Sequence, residues 1–247
     1  PDRKPWNAVF GPDDPVSLAF RFSIADCLLN TGAAGEALEV ARALLTDRER
    51  VQGADHPHTL ATRYLIADCL LNTGAAGEAL EDARALLTDR ERVLGADHPN
   101  TLTTRFLIAD CLRRTGAAGA ALEDARALLT DQERVQGADH PHTLTTRSLI
   151  AACLLNTGAA GEALEDARVL LTDQERVKGA DHPDTLATRS FIARLLLDLG
   201  DVDSAGAVHD GVVAALRNRG LLDGEDRLEE ALTVDRRLEA ASDRAAD

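Results

Sequence analysis

The chain of 247 residues holds no methionine, one tryptophan, one tyrosine and five phenylalanines, so aromatics make up only 3% of it. Its core must therefore be built from Leu, Ala, Val and Ile, a palette that suits packed helices. Lysine occurs only at Lys4 and Lys178, and arginine carries the rest of the positive charge, a bias consistent with a bacterial source. Acidic residues outnumber basic ones 42 to 27, for a net charge of −15. That surplus repels a phosphate backbone, and no basic stripe offsets it, which excludes nucleic acid as a partner. No apolar run approaches the roughly 18 to 20 residues that cross a bilayer. Residues 1–10 also lack the apolar segment of a signal peptide. The expectation is a cytoplasmic chain with no membrane partner.

Cysteine is scarce as well, and its spacing is informative. Cys27, Cys69, Cys111 and Cys153 recur at one place in a 42-residue period. Packed helices lie about 8 to 10 Å apart, and a two-helix repeat steps at least that far, beyond the ~7 Å Cα limit of a disulfide. The four are predicted to be small buried apolar residues in a reducing compartment.

The same period runs through the rest of the chain. Gly11, Gly53, Gly95, Gly137 and Gly179 each open one phrase, giving five copies over 11–220: 11–52, 53–94, 95–136, 137–178 and 179–220. Residues 53–94 and 95–136 differ at eight positions, whereas the first and fifth copies diverge more, as terminal repeats do. In copy two, Gly53 to His56 form a turn, and Pro57 sits at a first helical position, where a missing N–H costs nothing. Helix A is predicted over 57–72, with Leu60, Ile66, Ala67 and Leu70 as its apolar stripe. Asn72-Thr73-Gly74 ends it, Gly74 suiting a left-handed cap. Helix B is predicted over 76–93, burying Ala79, Ala83, Leu86, Leu87 and Val93. Glu78, Glu81, Asp82, Asp89, Arg90 and Arg92 are assigned to its solvated face. Neither helix buries its stripe alone, so the copies must stack. Residues 1–10 read as a lead-in, the tail of a preceding element in a fragment. Residues 221–247 read as a capping helix, over 225–245, and a polar tail.

The phrase Gly-Ala-Asp-His-Pro-x-Thr-Leu, followed by Asn-Thr-Gly-x-x-x-Glu-Ala, resembles the 42-residue tetratricopeptide repeat of kinesin light chains and many bacterial proteins. Ala67, Gly74 and Ala79 fall where that family has its small helix-packing residues. The resemblance implies an all-α, right-handed superhelical solenoid of five antiparallel helix-turn-helix repeats, with a concave groove lined by helix A that receives a peptide or a partner helix. There are departures. Arg63 stands where the shorter consensus often has Trp, and Ala76 and Ala83 replace common aromatics. The family's clamp for a terminal carboxylate needs Lys and Asn where this chain has Tyr64 and Asp68, so the resemblance does not extend to that clamp.

Differences between near-identical copies point to the residues that face a partner. Ala61, Tyr64, Leu71 and Asn72 become Thr103, Phe106, Arg113 and Arg114 in the next copy, all on the helix-A side that the resemblance assigns to the groove. That side carries Phe22, Tyr64 and Phe106 in one row, continued by Ser148 and Ser190, with Asp26, Asp68 and Asp110 in the next, and Arg113, Arg114 and Arg194 toward its end. Such a face suits a protein or peptide segment with apolar and basic side chains. The alternative is that the aromatics fill space between repeats. A second ladder, Arg21, Arg63, Arg105, Arg147 and Arg189, is either an anion-binding row or a structural one paired with carboxylates such as Glu81 or Asp82. Asn72 either bonds a ligand backbone or serves the turn.

Enzyme chemistry needs dissimilar groups that converge, and here mostly identical groups are spread along the chain. His56, His98, His140 and His182 belong to turns. His56 with His58, and His140 with His142, lack the third ligand of a zinc site. There is no phosphate-binding loop and no nucleophile elbow. No cofactor or metal is implied. The resulting expectation is a non-enzymatic protein-interaction module. The alternative is a structural spacer, or a self-association or sensor region of a larger bacterial signalling protein, such as an NTPase.

Overall fold

The computed structural model describes residues 11–218. Among them there are ten helices and no strand. The lead-in 1–10 and the expected capping helix within 221–247 lie outside the described residues, as do the last two residues of copy five. The described chain forms two compact units, divided after Asp124. The first unit holds α1 (Pro15–Asn30), α2 (Ala34–Gln52), α3 (Pro57–Asn72), α4 (Ala76–Leu94), α5 (Pro99–Arg114) and the start of α6 (Ala118–Val135). The second holds the rest of α6, α7 (Pro141–Asn156), α8 (Ala160–Lys178), α9 (Pro183–Asp198) and α10 (Val202–Asn218). Odd helices are the A helices and even ones the B helices, so each copy is the predicted pair.

Local chemistry sets the helix ends. Each A helix begins with proline after an N-cap. In copy one the cap is Asp14, whose carboxylate accepts from Val16 N at 2.8 Å. In the others a histidine does the same work: His56, His98, His140 and His182 each accept through Nδ1 from the backbone N–H two residues on, at 3.1 to 3.2 Å. The turn reading of these histidines therefore holds. At the other end, Gly74 takes φ +87, and Ala75 N reaches back to Leu70 O at 2.9 Å, closing the left-handed cap expected there.

The A helices are buried on more than one side. In α3, Leu60, Leu65, Ile66, Ala67 and Leu70 are all core, since α2 and α4 flank α3 within the first unit. Ala79, Ala83 and Leu86 form the buried line of α4 as predicted, while Leu87 and Val93 are only half buried. Cys69, Cys111 and Cys153 are buried and form no disulfide among the described residues, and burial pushes Cys69 and Cys111 up to about 11. Cys27 departs from its expected burial. It is exposed on α1, together with Phe20 (58% exposed) and Ile24, because among the described residues nothing packs on the α1 face that matches the covered face of α3.

One assignment is overturned: Arg90 is not solvated but 3% exposed, as is its counterpart Arg48. Arg90 follows Ala79, Ala83 and Leu86 at helical spacing and so continues the buried line. Its Nη1 donates to Asn100 O at 2.5 Å and to Thr104 Oγ1 at 2.7 Å on α5, and its Nη2 to Leu60 O at 3.3 Å on α3. Arg48 repeats this with His58 O, Thr62 Oγ1 and Leu18 O. Each guanidinium thus joins three helices. Carbonyl and hydroxyl oxygens, with no carboxylate, stand in for the lost water. Burial pulls Arg90 down to about 10, which leaves it charged at neutral pH. In the second unit the matching residues are the buried, neutral Gln132 and Gln174.

Two predictions follow from these contacts. Arg90→Ala removes three hydrogen bonds between helices and opens a cavity, so it is expected to cost about 2–4 kcal/mol, read as a lower urea midpoint. Arg90→Gln, the residue of copies three and four, should cost less than half as much. The second concerns acid. Burial is the main cause holding His58 and His142 below the ordinary imidazole value of 6.5, with Arg48 and His56 adding at His58 and His140 at His142. Their folded pKa lies below the unfolded one, so this stability is complete above pH 6.5 and declines as pH falls below it. The melting temperature by circular dichroism should drop between pH 6.5 and 5, and less so in a His56→Asp, His140→Asp variant, which replaces the neighbours that add to the lowering at His58 and His142.

Candidate functional site

Within the first unit, α1, α3 and α5 are neighbours, and the 42-residue period puts Phe22, Tyr64 and Phe106 at one register. All three are half buried. The guanidinium carbon of Arg48 lies 5.0 Å from the Phe22 ring centroid, and that of Arg90 lies 5.1 Å from Tyr64. The Phe22 and Tyr64 rings are therefore seated on buried cations, a favourable stack because the cation meets the negative face of the ring. Each ring of the row packs partly on the interior and keeps part of its surface exposed. Burial, with Asp68 adding to it, pushes the Tyr64 phenol up to about 12 against the opposing pull of Arg90.

One turn further along, Asp26, Asp68 and Asp110 form the expected acidic row, but their environments differ. Asp26 is exposed. Asp110 is 9% exposed and bonded to Arg113 at 2.6 Å and Arg114 at 3.0 Å on its own helix, so these two arginines serve Asp110. Asp68 is half buried, and its only hydrogen-bond donor among the described residues is the Asn72 amide, at 3.0 Å. Asn72 also bonds Asp68 O at 2.8 Å and so works inside its own helix. Burial raises the Asp68 pKa, and Asp110 and Asp26 add to the rise, against Asn72 and Arg114. The face therefore presents one partly desolvated carboxylate without an ion-pair partner. In the second unit, Ser148 on α7 is half buried and bonded to Leu144 O at 3.3 Å. There the aspartate position is Ala152 or Arg194, and Arg194 stacks on Phe191 at 5.0 Å.

The arginine ladder repeated through the copies is ion-paired at the positions where its bonds are described. Arg21, Arg63 and Arg147 reach Asp47, Asp89 and Asp173 at 2.6 to 2.7 Å, and Arg189 reaches Glu175 at 2.7 Å. The partners lie near the end of helix B, not at Glu81 or Asp82 as expected from the sequence. Asp89 also accepts from Arg92, which grips Asp55 in the turn with both terminal nitrogens, tying the two ends of the repeat together. These guanidiniums hold Asp89 and Asp55 below the usual carboxylate range. The His56 and His58 rings stand edge to face at 5.0 Å, and among the described residues no group of three or more His, Cys, Asp or Glu is gathered for a metal.

The residues that sequence reasoning missed are Arg48 and Arg90. Two signals marked them: helical continuity with the Ala-Ala-Leu line, and the change from Arg90 to Gln132 among the eight differences between copies two and three.

Residues 59–100 and 143–184 match the family model of the tetratricopeptide repeat. No curated protein matches the chain by sequence. Solved structures do match. The nearly identical tetratricopeptide-like repeats of a putative kinesin light chain from Podosopora anserina share 21% identity over 85% of this chain and 98% of theirs, with a TM-score of 0.66. BtubC from P. vanneervenii shares 17% identity over 93% of this chain and 90% of its own, with a TM-score of 0.59. A Rap protein complexed with the Competence and Sporulation Factor shares 12% identity over 93% of this chain and 75% of its own, with a TM-score of 0.70. These likenesses establish an all-α fold of the tetratricopeptide-like solenoid kind.

Tyr64 is the single tyrosine of the chain, so absorbance near 295 nm reports on its ring alone. In the folded protein its titration midpoint should lie near 12. A midpoint near the ordinary ~10, with native circular dichroism retained, would show the ring to be solvated and its burial to be absent.

Proposed function

We propose, from a chain built of tetratricopeptide repeats, that this protein is a non-enzymatic interaction module. Its binding face is the one lined by α1, α3 and α5 in the first unit, and its partner is a protein segment with apolar and basic side chains. The observation that carries this is Asp68. A half-buried carboxylate that accepts only from an amide, with Arg114 felt at a distance but bonded to Asp110, has lost water without gaining a direct ion pair. An incoming Arg or Lys supplies that cation, while Phe22, Tyr64 and Phe106 offer flat apolar surface to its neighbours. The Rap protein complexed with the Competence and Sporulation Factor, and a Rap regulator of similar fold in complex with the Phr* peptide, support a peptide-sized ligand. Arg113 and Arg114, engaged by Asp110, bound the acidic row and turn away a second basic side chain beyond it.

A peptide array probed with the labelled protein tests this. Bound sequences should combine Leu or Phe with Arg or Lys. Their signals should fall at least tenfold with Asp68→Arg, and with Tyr64→Ala combined with Phe106→Ala, while helicity is unchanged. Binders that keep full signal with Asp68→Arg would place the contact elsewhere and overturn the reading.

A further inference from the structure

The second unit contains a cleft of about 340 Å³ between α8, α9 and α10. Its walls are apolar, formed by Leu171, Ile192, Leu196 and Val208, and two arginines, Arg168 and Arg189, stand in its lining. The internal repeats show what such a place ordinarily contains. One repeat earlier, Arg126 and Arg147 hold the positions of Arg168 and Arg189. Arg126 is bonded to Glu162 at 2.6 Å, and Asp166 lies within the field of both arginines. Arg147 is further satisfied by Asp173 at 2.7 Å.

In copy five each of these acids is gone while the arginines remain. Ser204 replaces Glu162, Val208 replaces Asp166, and Ala215 replaces Asp173. Gly211 stands for Val169 and trims the same surface. Arg189 retains Glu175, and among the described residues no carboxylate pairs with Arg168. A cationic pair thus faces an apolar cleft in which Glu175 alone of its matching carboxylates is kept.

We propose that this cleft binds an amphipathic carboxylate, its head taken by Arg168 and Arg189 where Asp166 sits in the preceding repeat, and its chain laid along Leu171, Ile192, Leu196 and Val208. Arg suits the head because its planar fork matches a carboxylate. At the ~30 Å³ that a water-sized group occupies in the liquid, the cleft takes about ten non-hydrogen atoms, the size of an eight-carbon acid. A free medium-chain acid and the apolar C-terminus of a peptide share this chemistry.

Calorimetric titration of the intact chain with octanoate, with octan-1-ol and acetate as controls, tests the proposal. Acetyl-Leu-Leu, as free acid and as amide, reports on the second source. At least one of the two apolar acids should bind at one site, tenfold or more tighter than its neutral counterpart and than acetate, and the tighter acid identifies the source. Val208→Asp restores the residue found at Asp82, Asp124 and Asp166, so the fold should tolerate it, and it should weaken binding at least tenfold by filling the head site. Arg168→Gln should weaken it several-fold and provides a second variant should the first fail to fold. Absence of saturable binding by either acid, equal affinity for the neutral forms, or affinity unchanged in a folded variant of either kind would overturn the proposal.

Discussion

A buried guanidinium in the seam between repeats is the contact on which the first half of this molecule depends. Removing arginine from water costs several kcal/mol unless its donors are met and its charge is balanced. Arg48 and Arg90 meet part of that demand with oxygens on the helices before and after their own. The bonds exist only when three consecutive helices are stacked in register, so the cation makes stacking specific in a way that a Leu side chain would not. The same cation sits against the ring of Phe22 or Tyr64. The aromatic row of the candidate face is therefore held from beneath by the device that locks the repeats together.

The two units divide along this feature. Where arginine gives way to Gln132 and Gln174, the buried charge disappears. In copy four the ring has also become Ser148, and the aspartate of the neighbouring row Ala152. Copy five goes further: Ser204, Val208 and Ala215 stand on α10 where α8 has Glu162, Asp166 and Asp173, while the arginines those acids would have matched are kept. Each exchange leaves the Ala-Ala-Leu packing line of helix B intact in copies one to four, so chemistry is altered on faces that the core does not use. A repeat protein allows this because each copy owes its stability to its own helices and its nearest neighbours, not to residues farther along the chain.

The surface follows the opposite policy of repetition. Arg63, Asp89, Arg92 and Asp55 form a chain of ion pairs from helix A to helix B to the preceding turn, and copies one and four show the same chain. Exposed pairs contribute little singly. Linked, they tie helix A, helix B and the turn together in copies one, two and four.

Most of the architecture was legible in the residues. The period, the proline and glycine punctuation and the Ala-Leu stripes located the helices to within a residue, because each rests on local backbone chemistry: a ring that fixes φ, a Gly that accepts positive φ, a side-chain cap. Gly74, Pro57 and the Ala79-Ala83-Leu86 line are examples. The candidate face was legible in outline, since differences between copies mark positions free of core packing. Burial of charge was not. Arg90 looks solvent-facing by type, and only neighbouring helices supplying carbonyls at the correct distance make its burial tolerable. The carboxylate that each ladder arginine chooses, the isolation of Asp68 beside a satisfied Asp110, and the cleft left open in copy five were likewise decided in three dimensions. Each depends on which side chain from another helix arrives within about 3 Å, and a linear pattern carries no record of that distance.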